Sequence, residues 1–178
     1  MTISPAEVAH RAASDAERVA WVDDHDQPLG ALPRAELRER GLIGRCTFIL
    51  LFNSAGDLCV HRRTLSKALY PGYWDVAAGG MVGADENYAE SAARELEEEL
   101  GVSGVALRFH EKFYFDQPGN RLWCAVFSAV WDGALRLQPE EVSEARFIPV
   151  EQAELESASL PYCPDSLAAL QRYKAGLI

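Results

Sequence analysis

Apolar and polar positions alternate along the chain in blocks that define its elements. The run Cys46-Thr47-Phe48-Ile49-Leu50-Leu51-Phe52 is nearly continuous apolar. That pattern predicts a central strand over 45–53, buried on both faces. A Ser-Ala-Gly-Asp turn follows, and 58–63 reads as the returning strand. Upstream, 20–23 and 29–33 flank the polar turn Asp23-Asp24-His25-Asp26 and predict a hairpin. Residues 74–78 read as a short strand ending in Gly79-Gly80. Residues 105–115 and 121–131 read as a strand pair around Gln117-Pro118-Gly119-Asn120, and 144–150 as a further strand. Helices are expected over 87–100, stopped by Gly101, and over 165–175, begun by Pro164 and ended by Gly176. Residues 5–19 read as a short helix or loosely held arm. Strands lie on both sides of the 87–100 helix, which argues a layered α/β (α+β) fold with a mixed sheet.

Projected at roughly 100° per residue from Leu96, the apolar residues Tyr88, Ala89, Ala92, Ala93 and Leu100 of that helix fall within roughly 80° of one direction. Glu99, Glu95 and Glu98 fall at roughly −60°, −100° and −160°. Three carboxylates therefore share one arc, with Glu99 at the margin of the expected core face. Their mutual repulsion and poor solvation near a core edge are removed by a hard divalent cation, and Mg²⁺ takes such oxygen ligands.

The chain has 178 residues and a formal net charge of −10. The length suits one domain with a real core. The acidity disfavours nucleic-acid polymers and anionic membranes as partners. No apolar run approaches the ~20 residues of a membrane helix, and the first twenty residues, charged throughout, lack the apolar core of a leader. A cytoplasmic protein acting on a small molecule is expected. Cys46, Cys59, Cys124 and Cys163 are widely spaced and show no zinc pairing, so reduced, partly buried thiols are expected.

The segment 80–102 holds Gly80, Glu86, Arg94-Glu95, an aliphatic Leu96, Glu98-Glu99, Gly101 and Val102. It fills every position of G-x5-E-x7-R-E-U-x-E-E-x-G-U, with U aliphatic, and so resembles the Nudix box. His61-Arg62-Arg63-Thr64-Leu65-Ser66-Lys67, Pro71-Gly72-Tyr73-Trp74-Asp75, Phe113-Tyr114-Phe115 and Glu140-Glu141-Val142-Ser143-Glu144 extend the likeness. They are similar to the YfcD-type branch of Nudix hydrolases, itself related to isopentenyl diphosphate isomerases. The resemblance covers roughly residues 18–174, leaving 1–17 as an N-terminal arm or helix beside a domain over 18–178.

The resemblance implies the Nudix α/β/α sandwich around a mixed sheet, and a Mg²⁺-dependent enzyme (Mn²⁺ as substitute). Water attacks a phosphorus of a nucleoside diphosphate linked to another group. Glu95, Glu98, Glu99 and the Gly80 carbonyl are implied metal ligands, with Glu98 or Glu99 doubling as the base. Arg94 is implied to orient a box carboxylate, Glu98 or Glu90, and Glu86 to stabilise the loop–helix junction. A later glutamate, Glu141 or else Glu144, is expected to join the metals or act as base. Arg62, Arg63 and Lys67 are candidates for the diphosphate, and Tyr70, Tyr73, Trp74, Phe113, Tyr114 and Phe115 for stacking a base. Two alternatives remain: an isomerase of the isopentenyl diphosphate type, disfavoured by Gly79 and Met81 where those enzymes carry cysteine and histidine, and a non-catalytic nucleotide sensor. The same pattern offers the edge strands of the N-terminal hairpin for pairing in a homodimer.

Overall fold

The computed structural model describes residues 2–177. The chain opens with helix α1 (Pro5–Ala16), started by a Ser4 cap whose hydroxyl accepts from Glu7 N while the Glu7 carboxylate accepts from Ser4 N. The hairpin β1 (Arg18–Val22) and β2 (Pro28–Pro33) follows, then a six-residue helix α2 (Arg34–Glu39). Next come β3 (Ile43–Phe52), β4 (Leu58–Arg63) and a two-residue β5 (Trp74–Asp75). Helix α3 (Tyr88–Leu100) carries a capping box between Asn87 and Glu90 and stops at Gly101 with φ 70°. Strands β6 (Arg108–Gln117), β7 (Asn120–Val130) and β8 (Val142–Ile148) precede α4 (Val150–Ser157) and α5 (Pro164–Ala175).

β3 is the hub of one eight-stranded sheet. It pairs with β7 in parallel from Gly44↔Leu122 to Phe52↔Val130, and antiparallel with β1 at one end and β4 at the other. β4 in turn pairs with β8 and β5, and β6 with β7. The sheet is therefore mixed. Side chains alternate across it. Cys46, Phe48 and Leu50 join one core with Ala169 and Leu170 of α5, and Ile49 and Leu51 join the other with Ala92, Leu96 and Leu100 of α3. Two-faced burial is why the β3 sequence is apolar throughout, and it places helices on both sides of the sheet.

Several expectations shift. The segment expected as a strand over 74–78 is ladder-paired only at Trp74–Asp75; beyond it the chain makes single bridges, Ile49↔Ala78 and Cys46↔Met81. The strand expected from 105 begins at Arg108, and that expected from 144 begins at Val142. Helices α2 and α4 were not anticipated: both start at a proline with no side-chain cap bond, and neither has a long amphipathic stripe. Of the two readings of the N-terminal segment, short helix or loosely held arm, the structure shows the helix. None of its residues is buried, and it is tied down by polar contacts: Arg34 Nη1 donates to Ser14 Oγ at 3.1 Å and Arg38 Nη2 to Asp15 at 3.1 Å. Among the described residues no helix is long and apolar enough to cross a membrane, and all four cysteines are free and buried.

Candidate active site

The buried arc of α3 is not the one its apolar residues define. Ser91, Ala92, Leu96, Glu99 and Leu100 are buried, while Ala89 and Ala93 are exposed. The arc is rotated towards the carboxylates, because these face an enclosed cleft and not open solvent. Glu95 and Glu99 keep only 13% and 9% of their side-chain surface exposed, and Glu98 keeps 49%.

The loop before α3 forms the floor. Thr47 N donates to the Gly80 carbonyl at 3.0 Å and Gly79 N lies 3.5 Å from Glu99 Oε2. Gly79 has φ +147°, and a Cβ there would stand 1.8 Å from the Thr47 carbonyl oxygen. A Cβ on Gly80 would stand 2.6 Å from Glu95 Oε1. Only glycines let this loop press simultaneously on β3 and on the carboxylates.

Arg94 fixes the junction. Its Nε and Nη2 donate to Glu86 Oε2 and Oε1 at 2.7 and 2.8 Å, a two-pronged pair that also receives the Gly83 N–H on Oε1 at 2.9 Å. Its Nη1 donates to Glu95 at 2.9 Å and Glu98 at 3.1 Å. Glu98 is thus a partner as expected. Glu90 is not, because it caps the Asn87 end of α3. The strongest partner, Glu86, lies eight residues away across the loop, beyond any i±4 rule.

One cleft is lined by Gly80, Arg94, Glu95, Glu98, Glu99, Lys67 and Glu141, with a cavity volume of about 300 Å³. Burial pushes Glu95 up to about 7 against the pull of Arg94 and Arg34. Burial, with Glu95 and Glu141 nearby, raises Glu99 well above the carboxylate range. As these side chains stand, no three acids, histidines or cysteines among the described residues converge on one point. Arg94 supplies the counter-charge to Glu95 and Glu98. The donor set still fits a hard divalent cation: oxygen ligands only, two of them enclosed and under-compensated.

Glu141 accepts from His10 Nε2 at 2.7 Å and is ion-paired with Lys67. Burial raises its pKa, but the Lys67 ammonium overrides this and holds it down to about 2. Glu144, the second candidate, lies outside the cleft on β8, 3.7 Å from Arg62. Arg62 lines no part of the cleft either; its Nε donates to the Gly72 carbonyl at 3.1 Å. Arg63 lines only an adjoining chamber, where it is tied to the Leu69 carbonyl and Asp75. Of the expected stacking residues, only Tyr70 lines that chamber. Trp74 stacks on Tyr162, Phe113 and Phe115 pack in the core, and Tyr114 packs on Trp123.

Sequence reasoning missed Arg34, His10 and Ser14, which line both the cleft and the chamber. Arg34 contacts no carboxylate among the described residues, only Ser14 Oγ. The signal was faint: one arginine directly after Pro33, far from the box. His61, at the head of the His61–Lys67 run, is buried with Nε2 3.9 Å from Glu99. Burial lowers its pKa, so it is neutral and this approach is no ion pair. Cys46 lies opposite Met81 and lines the chamber. Burial and the Cys124 thiol 3.6 Å away push its pKa well up, which makes it a poor nucleophile.

Comparison with known proteins agrees with this geometry. The NUDIX domain family model matches residues 43–165. An uncharacterized Nudix hydrolase of Pseudomonas aeruginosa is 75% identical over 166 residues, covering 93% of this chain and 98% of the relative. The uncharacterized Nudix hydrolase YfcD of Escherichia coli is 39% identical over 160 residues, covering 90% and 88%. The crystal structure of DR0079 from Deinococcus radiodurans superposes with a TM-score of 0.76 at 27% identity, covering 88% of this chain and 99% of that one.

Proposed function

We propose, from the premise that this chain belongs to the Nudix family of hydrolases acting on pyrophosphate bonds, that its substrate is a nucleoside diphosphate linked to a further group and that turnover requires Mg²⁺, with Mn²⁺ as a substitute. One observation carries the reading: Glu95, Glu98 and Glu99 form one wall of a cleft that also holds Arg34, a cation without a carboxylate partner among the described residues. An acidic wall facing a guanidinium suits a diphosphate, because a divalent cation held by the acids would supply positive charge on one side and Arg34 supplies it on the other.

Glu95, Glu98, Glu99 and the Gly80 carbonyl would hold the cation. It would supply positive charge that neutralises the phosphate oxygens as the P–O bond breaks. Arg34 holds the remaining phosphate charge, and Lys67, anchored by Glu141, adds to it. Water attacks one phosphorus in line, Glu98 or Glu99 takes its proton, and the bridging oxygen leaves with the second phosphate. Arg94 keeps Glu95 and Glu98 in place from its seat on Glu86. The isomerase alternative lacks its nucleophile, because Gly79 stands at that position with no room for a side chain. A homodimer through the β2 edge belongs to the same set of proposals, and light scattering of the purified protein reads it.

The test is a panel of nucleoside diphosphate derivatives assayed with and without Mg²⁺, with both products identified. Glu98→Gln should lose most turnover while keeping its fold, since this side chain is half exposed. A broad panel without metal-dependent hydrolysis overturns the reading.

A further inference from the structure

Beyond Arg34 and Gly80 the cleft opens into a second chamber with a cavity volume of about 110 Å³. Its sides are apolar, built by Leu37, Phe48, Met81 and Leu122, but it also holds a cluster of polar groups, of which Asp75 and Asn120 are buried and Arg63, Tyr70 and Asp165 partly buried. Arg63 Nη1 donates to Asp75 Oδ2 at 3.3 Å, which answers the Asp75 charge. Asp165 has no such partner. Its Oδ2 takes only the Asn120 amide at 3.1 Å and its Oδ1 only the Ser166 N–H at 2.9 Å, and among the described residues no cation pairs with it.

Asn120 spends its amide nitrogen on Asp165 and on the Tyr70 hydroxyl at 2.9 Å. Its carbonyl oxygen is left as a further acceptor. Immediately around Asp165, acceptors are therefore in excess: two carboxylate oxygens with one bond each and the Asn120 carbonyl, against the hydroxyl hydrogen of Tyr70. An enclosed carboxylate short of donors is costly unless a ligand supplies N–H or O–H groups. An alkyl end would leave it unanswered, and a ring oxygen would set lone pair against lone pair.

We propose that this chamber seats the base of the substrate and that Asp165 is a specificity-determining residue that selects an amino-bearing ring over its oxo-bearing counterpart. The placement of the base rests on the proposed function, which puts the diphosphate at the carboxylate wall. The donor preference rests on the Asp165–Asn120 pair alone.

The two readings are separated by measuring binding instead of turnover. Isothermal titration of the full chain, without metal, compares CMP with UMP, AMP with IMP, and pentyl phosphate as the alkyl control. The amino form of at least one pair should bind tighter by about tenfold or more, the scale of a hydrogen bond to a charged group. Asp165→Asn should bring that pair within about twofold, since the amide can donate as well as accept. This variant keeps an acceptor for Ser166 N, and a thermal melt at or above that of the parent verifies its fold. Equal affinities in both pairs, a preference unchanged in Asp165→Asn, tighter binding of pentyl phosphate, or no binding by any probe overturns the proposal. A binding preference in a protein that hydrolyses nothing leaves the chamber standing and overturns the hydrolase reading alone.

Discussion

Replacing Gly79 and Gly80 by alanine, one at a time, separates what the loop does for the fold from what it does for the site. On Gly79 a Cβ lands 1.8 Å from the Thr47 carbonyl oxygen and 2.8 Å from its carbon, both backbone atoms of the central strand. The φ of +147° adds conformational strain. Overpacking costs about 1–3 kcal/mol, and forced backbone conformations cost about as much again. Gly79→Ala should therefore lose about 2–6 kcal/mol, a fall in melting temperature on the order of 10 °C for a chain of this size. On Gly80 the Cβ meets only the Glu95 carboxylate, at 2.6 Å from Oε1 and 2.7 Å from Cδ. To restore an ordinary 3.4 Å contact the carboxylate must retreat by 3.4 − 2.6 = 0.8 Å. An off-rotamer glutamate costs about 0.5–1.5 kcal/mol, a few degrees at most, but a catalytic group misplaced by about 1 Å costs on the order of 100-fold in rate. Scanning calorimetry and Mg²⁺-dependent product release, run on both variants, read the two effects. If Gly80→Ala melts as low as Gly79→Ala, or hydrolyses at the parent rate, the division of labour between the two glycines is wrong.

Three further outcomes are expected. Arg94→Lys loses the two-pronged hold on Glu86, so stability should fall by about 1–2 kcal/mol after allowing for partial exposure, read as a lower urea midpoint. Arg34→Ala breaks only the contact to Ser14, so the melt should move little while KM for the substrate rises about tenfold or more; an unchanged KM removes Arg34 from the substrate site. Asp165→Asn should stabilise the protein at pH 8, with the gain shrinking as pH falls towards 3.8. Burial, with Asp75 adjacent and Arg63 opposing, raises the Asp165 pKa above its ordinary 3.8. The folded state then holds that proton more tightly than the unfolded one, so the carboxyl destabilises increasingly as pH rises above 3.8. Melts over a pH series read the sign directly.

The long, strongly patterned elements were legible in the sequence. The apolar run of β3, the hairpin turns, and the cap and stop signals of α3 place those elements within a residue or two. What escaped was set by distance or by brevity. The helices α2 and α4 are six and eight residues long, too short for periodicity to register. The true buried face of α3 was hidden because hydrophobic residues alone locate a core, whereas Glu95 and Glu99 are enclosed in a cleft that the Gly79–Gly80 loop and the N-terminal segment help to wall. Arg94 and Glu86 meet because the loop folds back on the helix, and Arg34 enters the cleft because α2 begins where the first hairpin ends. Neither juxtaposition has a local sequence trace.

The pairing of β3 with β7 also dictates how the chain must be assembled. Cys46 and Cys124 stand side by side in the sheet although 78 residues separate them. On a ribosome, the Cys46–Phe52 segment emerges long before the strand that covers it has been synthesised. Seven consecutive residues without a formal charge, rich in β-branched, aromatic and aliphatic side chains, then wait unshielded. Expression of this protein should accordingly be sensitive to temperature and to holdase chaperones at the stage of synthesis, however stable the finished domain is.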